Sequence, residues 1–136
     1  MLLFFYGTLM RGFDRRRRLG LDDRLRFVGL GSMAGAMFDL GLYPAAVASP
    51  DGRVRGEVFE VADGDGEAVL SALDRVEGFD PASAESSLYV RQPVAVHLDD
   101  GTEGWAWAYL YNAPLGAAPR IVSGDYRAHL GGTPRG

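Results

Sequence analysis

Apolar residues follow two rhythms along this chain. The opening MLLFFY is an unbroken apolar run that stops at Gly7 and Thr8. That is the pattern of a strand buried on both faces, over residues 1–6. The second rhythm belongs to EAVLSALDRVEGF, where Val69, Leu70, Leu73 and Val76 recur at helical spacing and form one stripe. Asp63 or Asp65 is placed to cap the start of this helix, and Gly78 to cap its end.

Between these two segments the pattern is weaker. Asp14 can cap a short arginine-rich helix that Gly20 ends. FVGLGSMAGAMFDL (27–40) is small, apolar and rich in glycine, which predicts one bent strand. GLYPAAV reads as a loop and SPDG as a turn, with Asp51-Gly52 as a hairpin signal. Val54–Val61 is a further strand, and its apolar parity shifts near Gly56, which predicts a bulge there. DPASAESS reads as a loop.

Alternation returns in LYVRQPVAVHL. Val90, Val94, Val96 and Leu98 share one face there, while Tyr89, Arg91 and His97 share the other. Pro93 predicts an edge or a bulge. Asp99-Asp100-Gly101 turns the chain into GWAWAYLYN, whose face Trp105, Trp107, Tyr109 and Tyr111 is read as core or barrel lining. The tail from Pro114 is read as loop plus a short helix near 124–130. About five strands with few helices predict an α+β fold on a curled, mostly antiparallel sheet. The expected organisation is a single domain over 1–136, with 114–136 a peripheral C-terminal segment.

Composition narrows the chemistry. The 136 residues include no cysteine, which excludes disulfides, thiolate metal sites and a cysteine nucleophile. His97 and His129, the two histidines, are far apart, so no metal and no cofactor is expected. Net charge is −4, and every basic residue is arginine. The run Arg15–Arg18 is read as a solvated face rather than a nucleic-acid site. No membrane segment is apparent, so a cytoplasmic location is the expectation.

Five short stretches occur in order: YGTL after the first strand, then DLGLYP, RGEVFEV, LDRVEGF at the end of the main helix, and YVR opening a late strand. SGDY near Gly124 is a weaker echo. In this order and spacing the chain resembles the gamma-glutamylcyclotransferase-like, or AIG2-like, proteins, from Leu3 to about Tyr111. The resemblance implies a small β-barrel with flanking helices. It also implies a cofactor-independent enzyme that releases 5-oxoproline and a free amine from a gamma-glutamyl amine or amino acid. By the same resemblance the turn Tyr6, Gly7, Thr8 and Leu9 binds the glutamyl part through its backbone, and Glu77 is the general base.

The residues themselves are suited to these roles. Glu77 follows Val76 at a helix end, where the helix dipole disfavours an anion, and a residue that breaks a local rule invites a functional reading. Gly7 lets a ligand approach peptide N–H groups, which form a concave site for negative oxygen. Thr8 adds a hydroxyl, and Tyr6 could cover the pocket or donate through its phenol. Arg91 is expected to pair with a carboxylate, Glu77 included, and Tyr111 to border the pocket. Asp74 is read as surface charge. The expected partner is a small gamma-glutamyl molecule, not nucleic acid or membrane, and exposed aromatic surface suggests a homodimer. The competing reading is a non-catalytic binding module that holds a small acidic ligand in the same pocket.

Overall fold

The structure is a computed structural model and describes residues 1–131. Its centre is a closed barrel of five strands in the order β1 (Leu2–Phe5), β5 (Arg53–Val61), β2 (Leu25–Ala34), β6 (Tyr89–Leu98) and β7 (Glu103–Tyr111). Four contacts in the ring are antiparallel. The ring closes through one parallel contact, β1 against β7, at Leu3 and Trp107. This is the small, mostly antiparallel barrel with flanking helices that the resemblance implies.

A five-stranded barrel has a narrow interior, so residues pointing inward must be small or interleaved. On β7 the inner positions are Ala106, Ala108 and Leu110, all buried. The aromatic stripe is therefore not barrel lining. Trp107 and Tyr109 stand on the outer face, where Tyr109 reaches the helix above it, and Trp105 is 70% exposed. Phe4 enters the barrel where Gly56 leaves room: a Cβ on Gly56 would lie 2.6 Å from the Phe4 ring and collide with the Phe5 carbonyl. Close packing thus explains Gly56. The bulge expected there lies instead on β2 between Phe27 and Gly29, opposite Phe59 and Val58.

The predicted bent strand breaks at Gly35 into β2 and β3 (Ala36–Asp39). β3 leaves the barrel and joins a second sheet, in the order β4 (Pro44–Val47), β3, β8 (Arg120–Ile121). Asp51-Gly52 consequently closes no hairpin, since among the described residues β4 pairs with β3 while β5 pairs with β1 and β2. That turn carries the chain from the small sheet to the barrel. The hairpin expected at Asp99-Asp100-Gly101 does form, joining β6 to β7. Pro93 sits on β6 away from Leu98 and His97, the positions at which β6 meets β2.

Helix α1 is a single turn, Arg15–Arg18, and Asp14 makes no side-chain cap bond. Helix α2 (Gly66–Glu77) follows Asp65 and ends on Gly78, which adopts a left-handed φ of 68°. It buries Val69 and Leu73 against the outer face of the barrel. Helix α3 is Tyr126–Gly131. The C-terminal segment, expected at the periphery, gives Ile121 and Tyr126 to the core cluster. The rest of it, 132–136, lies outside the described residues. Among the described residues no helix is long and apolar enough to cross a membrane.

Candidate active site

Strand β1 delivers the chain into a turn at Gly7–Met10, closed by the Met10 N–H donating to the Gly7 carbonyl at 3.1 Å. Among the described residues, the N–H groups of Gly7, Thr8 and Leu9 donate to no acceptor. Pro44, at the start of β4, packs on Gly7 so closely that a Cβ there would sit 2.9 Å from Pro44 Cγ. Glycine thus fits the protein side of the turn, and its other side is left open.

That other side is a cavity of about 290 Å³. Its walls include Tyr6, Gly7, Thr8 and Leu9 from the turn, Glu77 and Gly78 from the end of α2, and Tyr89, Tyr109 and Tyr111 from the barrel. Tyr43, Leu88 and Arg75, all exposed, lie at its mouth. The turn and Glu77, seventy positions apart in the sequence, therefore border one space.

Glu77 is 12% exposed at its side chain and accepts no hydrogen bond from the described residues. Burial pushes its carboxyl above the usual carboxylate range, and the Arg15 guanidinium, 3.9 Å away, offsets part of that rise. The carboxylate is thus desolvated and unsaturated, which leaves it a capable proton acceptor. Burial also pushes the Tyr89 phenol up, helped by the Glu77 charge, so this phenol stays neutral. Tyr89 donates to the Pro44 carbonyl at 3.1 Å and holds the start of β4, which braces Gly7.

Tyr6 lines the cavity but does not offer its phenol to it. Its hydroxyl donates to the Tyr109 carbonyl at 2.6 Å. Thr8 accepts from Arg15 Nη1 at 2.8 Å, which leaves its own hydroxyl proton free to donate. Tyr111 lines the cavity. Arg91 does not, and it does not pair with Glu77. It forks onto Asp74 through Nε at 2.9 Å and Nη2 at 3.2 Å, above the Trp107 ring.

Asp74 is accordingly not surface charge. It is buried, and it also accepts from the Tyr109 hydroxyl at 2.6 Å. These bonds pin α2 to the barrel one turn before Glu77. A sequence signal existed: Leu70, Asp74 and Glu77 are spaced i, i+4, i+7 along the edge of the apolar stripe. Arg15 departs from expectation as well. Arg17 and Arg18 are exposed, whereas Arg15 is half-buried in the cavity wall over the Tyr43 ring.

Known proteins give the same outline. MJ1514 of Methanocaldococcus jannaschii, named as a candidate gamma-glutamylcyclotransferase, is 30% identical over 132 residues, covering 95% of this chain and 98% of its own. YkqA of Bacillus subtilis superposes with a TM-score of 0.69 at 24% identity, over 98% of this chain and 43% of that one, so the present chain spans less than half of that protein. At that identity the likeness speaks for the fold alone. An AIG2-like protein of Mus musculus superposes with a TM-score of 0.63 at 25% identity, over 83% of this chain and 79% of that one. The family described as gamma-glutamyl cyclotransferase, AIG2-like, matches residues 3–128, and the chain belongs to it.

Proposed function

We propose that the protein is a gamma-glutamyl cyclotransferase that releases 5-oxoproline from a gamma-glutamyl amine or amino acid. The observation that carries this reading is the pairing across one cavity. Glu77, a desolvated carboxylate that accepts no hydrogen bond from the described residues, borders the same cavity as Gly7, Thr8 and Leu9, whose peptide N–H groups donate to none of them.

In this reaction the α-amine nitrogen attacks the substrate's own gamma-carbonyl carbon. Nucleophile and target are tethered, so correct folding of the substrate is worth an effective molarity of about 10⁵ M or more. An α-amine is mostly protonated at neutral pH, and only its neutral form attacks. The ammonium gives one proton to solvent, the neutral nitrogen attacks, and Glu77 takes a second proton from it as the C–N bond of the ring forms. Negative charge grows on the carbonyl oxygen, where the N–H groups of the turn can stabilise it. The bond to the departing nitrogen then breaks, and Glu77 returns the proton to that nitrogen. The products are 5-oxoproline and a free amine, and atoms balance without a co-reactant.

The test is a panel of gamma-glutamyl amines and amino acids, with 5-oxoproline followed by mass spectrometry. Turnover that disappears in Glu77→Gln while ligand binding persists supports the enzyme. Binding across the panel with no 5-oxoproline from any member would leave a binding module in its place.

A further inference from the structure

The guanidinium of Arg15 is held but not saturated. Nη1 donates to Thr8 Oγ1 at 2.8 Å, and the group stacks over the Tyr43 ring with 5.3 Å from Cζ to the ring centre. Its other N–H groups donate to no described residue. The same Nη1 is 3.9 Å from Glu77 Oε1, beside the carboxylate but too far to hydrogen-bond with it. Cation and anion thus stand side by side on one wall, each with bonding capacity facing the cavity. Arg75, the other guanidinium of the cavity, is exposed at the mouth.

We propose that Arg15 is a substrate-binding residue that grips the α-carboxylate of the glutamyl group while Glu77 receives its α-amine. An α-amino acid carries its ammonium and carboxylate on one carbon, so an adjacent acid and base match that headgroup. A guanidinium fork suits a planar carboxylate better than a point charge does. Thr8 fixes the fork beside the turn, which leaves the N–H groups of Gly7, Thr8 and Leu9 for the gamma-carbonyl oxygen. The substrate carboxylate would also neutralise the cation beside Glu77. That removes the influence holding the acid's proton affinity down and makes it a better base when substrate is bound. The inference rests on the cyclotransferase reading and assigns its specificity for an α-carboxylate to one side chain.

The experiment compares two substrates with the same leaving side, gamma-glutamyl-alanine and 4-aminobutanoyl-alanine, which lacks the α-carboxylate and would close to 2-pyrrolidinone. The wild-type protein should prefer the first by about 100-fold in kcat/KM. Arg15→Gln should cut this preference to about tenfold or less, with Arg15→Lys between the two. The ratio is taken within each variant, so general damage to the fold cancels. A preference unchanged in Arg15→Gln overturns the inference and leaves the cyclotransferase standing. If neither compound turns over, the cyclotransferase reading is left to the wider panel, and calorimetry with 5-oxoproline and 2-pyrrolidinone decides for Arg15. Tighter binding of 5-oxoproline that is lost in Arg15→Gln supports the assignment. Equal or absent binding of the two lactams overturns it.

Discussion

Asp74 and Glu77 are one helical turn apart on α2, and both side chains are 12% exposed. Their surroundings differ completely. Asp74 accepts two bonds from Arg91 and one from Tyr109, so its lone pairs are largely spent inside the protein. Among the described residues Glu77 accepts no such bonds and has a guanidinium beside it at 3.9 Å. Burial costs both carboxylates their hydration. For Asp74 the protein replaces the lost water, and the result is an anchor. For Glu77 the replacement is missing, and a group kept hungry in this way is available to an incoming amine. Partner count, rather than depth, separates the acid that holds the fold from the acid suited to chemistry.

The largest effect should come from Glu77→Gln. If Glu77 is the base as proposed, kcat/KM falls by about 10³-fold, while the unfolding free energy at pH 7 is unchanged or higher, since a desolvated charge has been removed. Enzyme assays and urea unfolding on the same preparation check both halves. Asp74→Ala should invert the pattern. It leaves Arg91 uncompensated under α2 and costs about 3 kcal/mol of stability, read as a lower urea midpoint. Asp74→Ala losing turnover as heavily as Glu77→Gln, at temperatures where it stays folded, would erase the distinction.

Gly7→Ala should rank next. Its methyl would meet Pro44 Cγ at 2.9 Å and shift the turn, so kcat/KM drops by about tenfold to 100-fold. Circular dichroism should stay native. The smallest effect is in pH dependence. Because the folded protein raises the Glu77 pKa, the unfolded chain releases that proton first as pH rises. Stability contributed at this site therefore declines from about the ordinary glutamate value upward through the raised one. Glu77→Gln should flatten this part of the stability-pH curve. Under the proposed mechanism activity runs the other way, since the ionised form acts as base: kcat/KM should climb through the raised value. Arg15→Gln moves the climb further up, because the cation that lowers the pKa is gone.

Much of this arrangement could be read from short stretches of sequence. The apolar run into YGTL, the stripe and glycine cap of α2, and the turn at Asp99-Asp100-Gly101 are local patterns with local causes. The small sheet is not. β8 has two residues, and Ile121 finds Met37 across more than eighty positions, which no short window displays. Gly56 misled for a related reason: its missing side chain answers to Phe4 on another strand. Asp74 and Arg15 were misread because charge on a helix is usually solvated. Only the folded neighbours reveal that one is bonded shut and the other faces the cavity. Glu77 was legible through its misfit with the helix dipole, and the turn through its companions in the family pattern.

Glu57 is fully buried within β5. It gathers the backbone N–H of Arg11 at 2.7 Å, the Arg11 side chain, and Arg127 Nη1 at 3.1 Å; Arg127 also donates to the Arg11 carbonyl. Arg127, which follows every cavity-lining residue in the sequence, thus helps fasten the loop that continues from YGTL. During synthesis, a ribosome that has not yet released Arg127 holds a polypeptide whose Glu57 still lacks one of its guanidinium partners. The fastening of that loop is therefore completed only after every residue that lines the pocket has emerged.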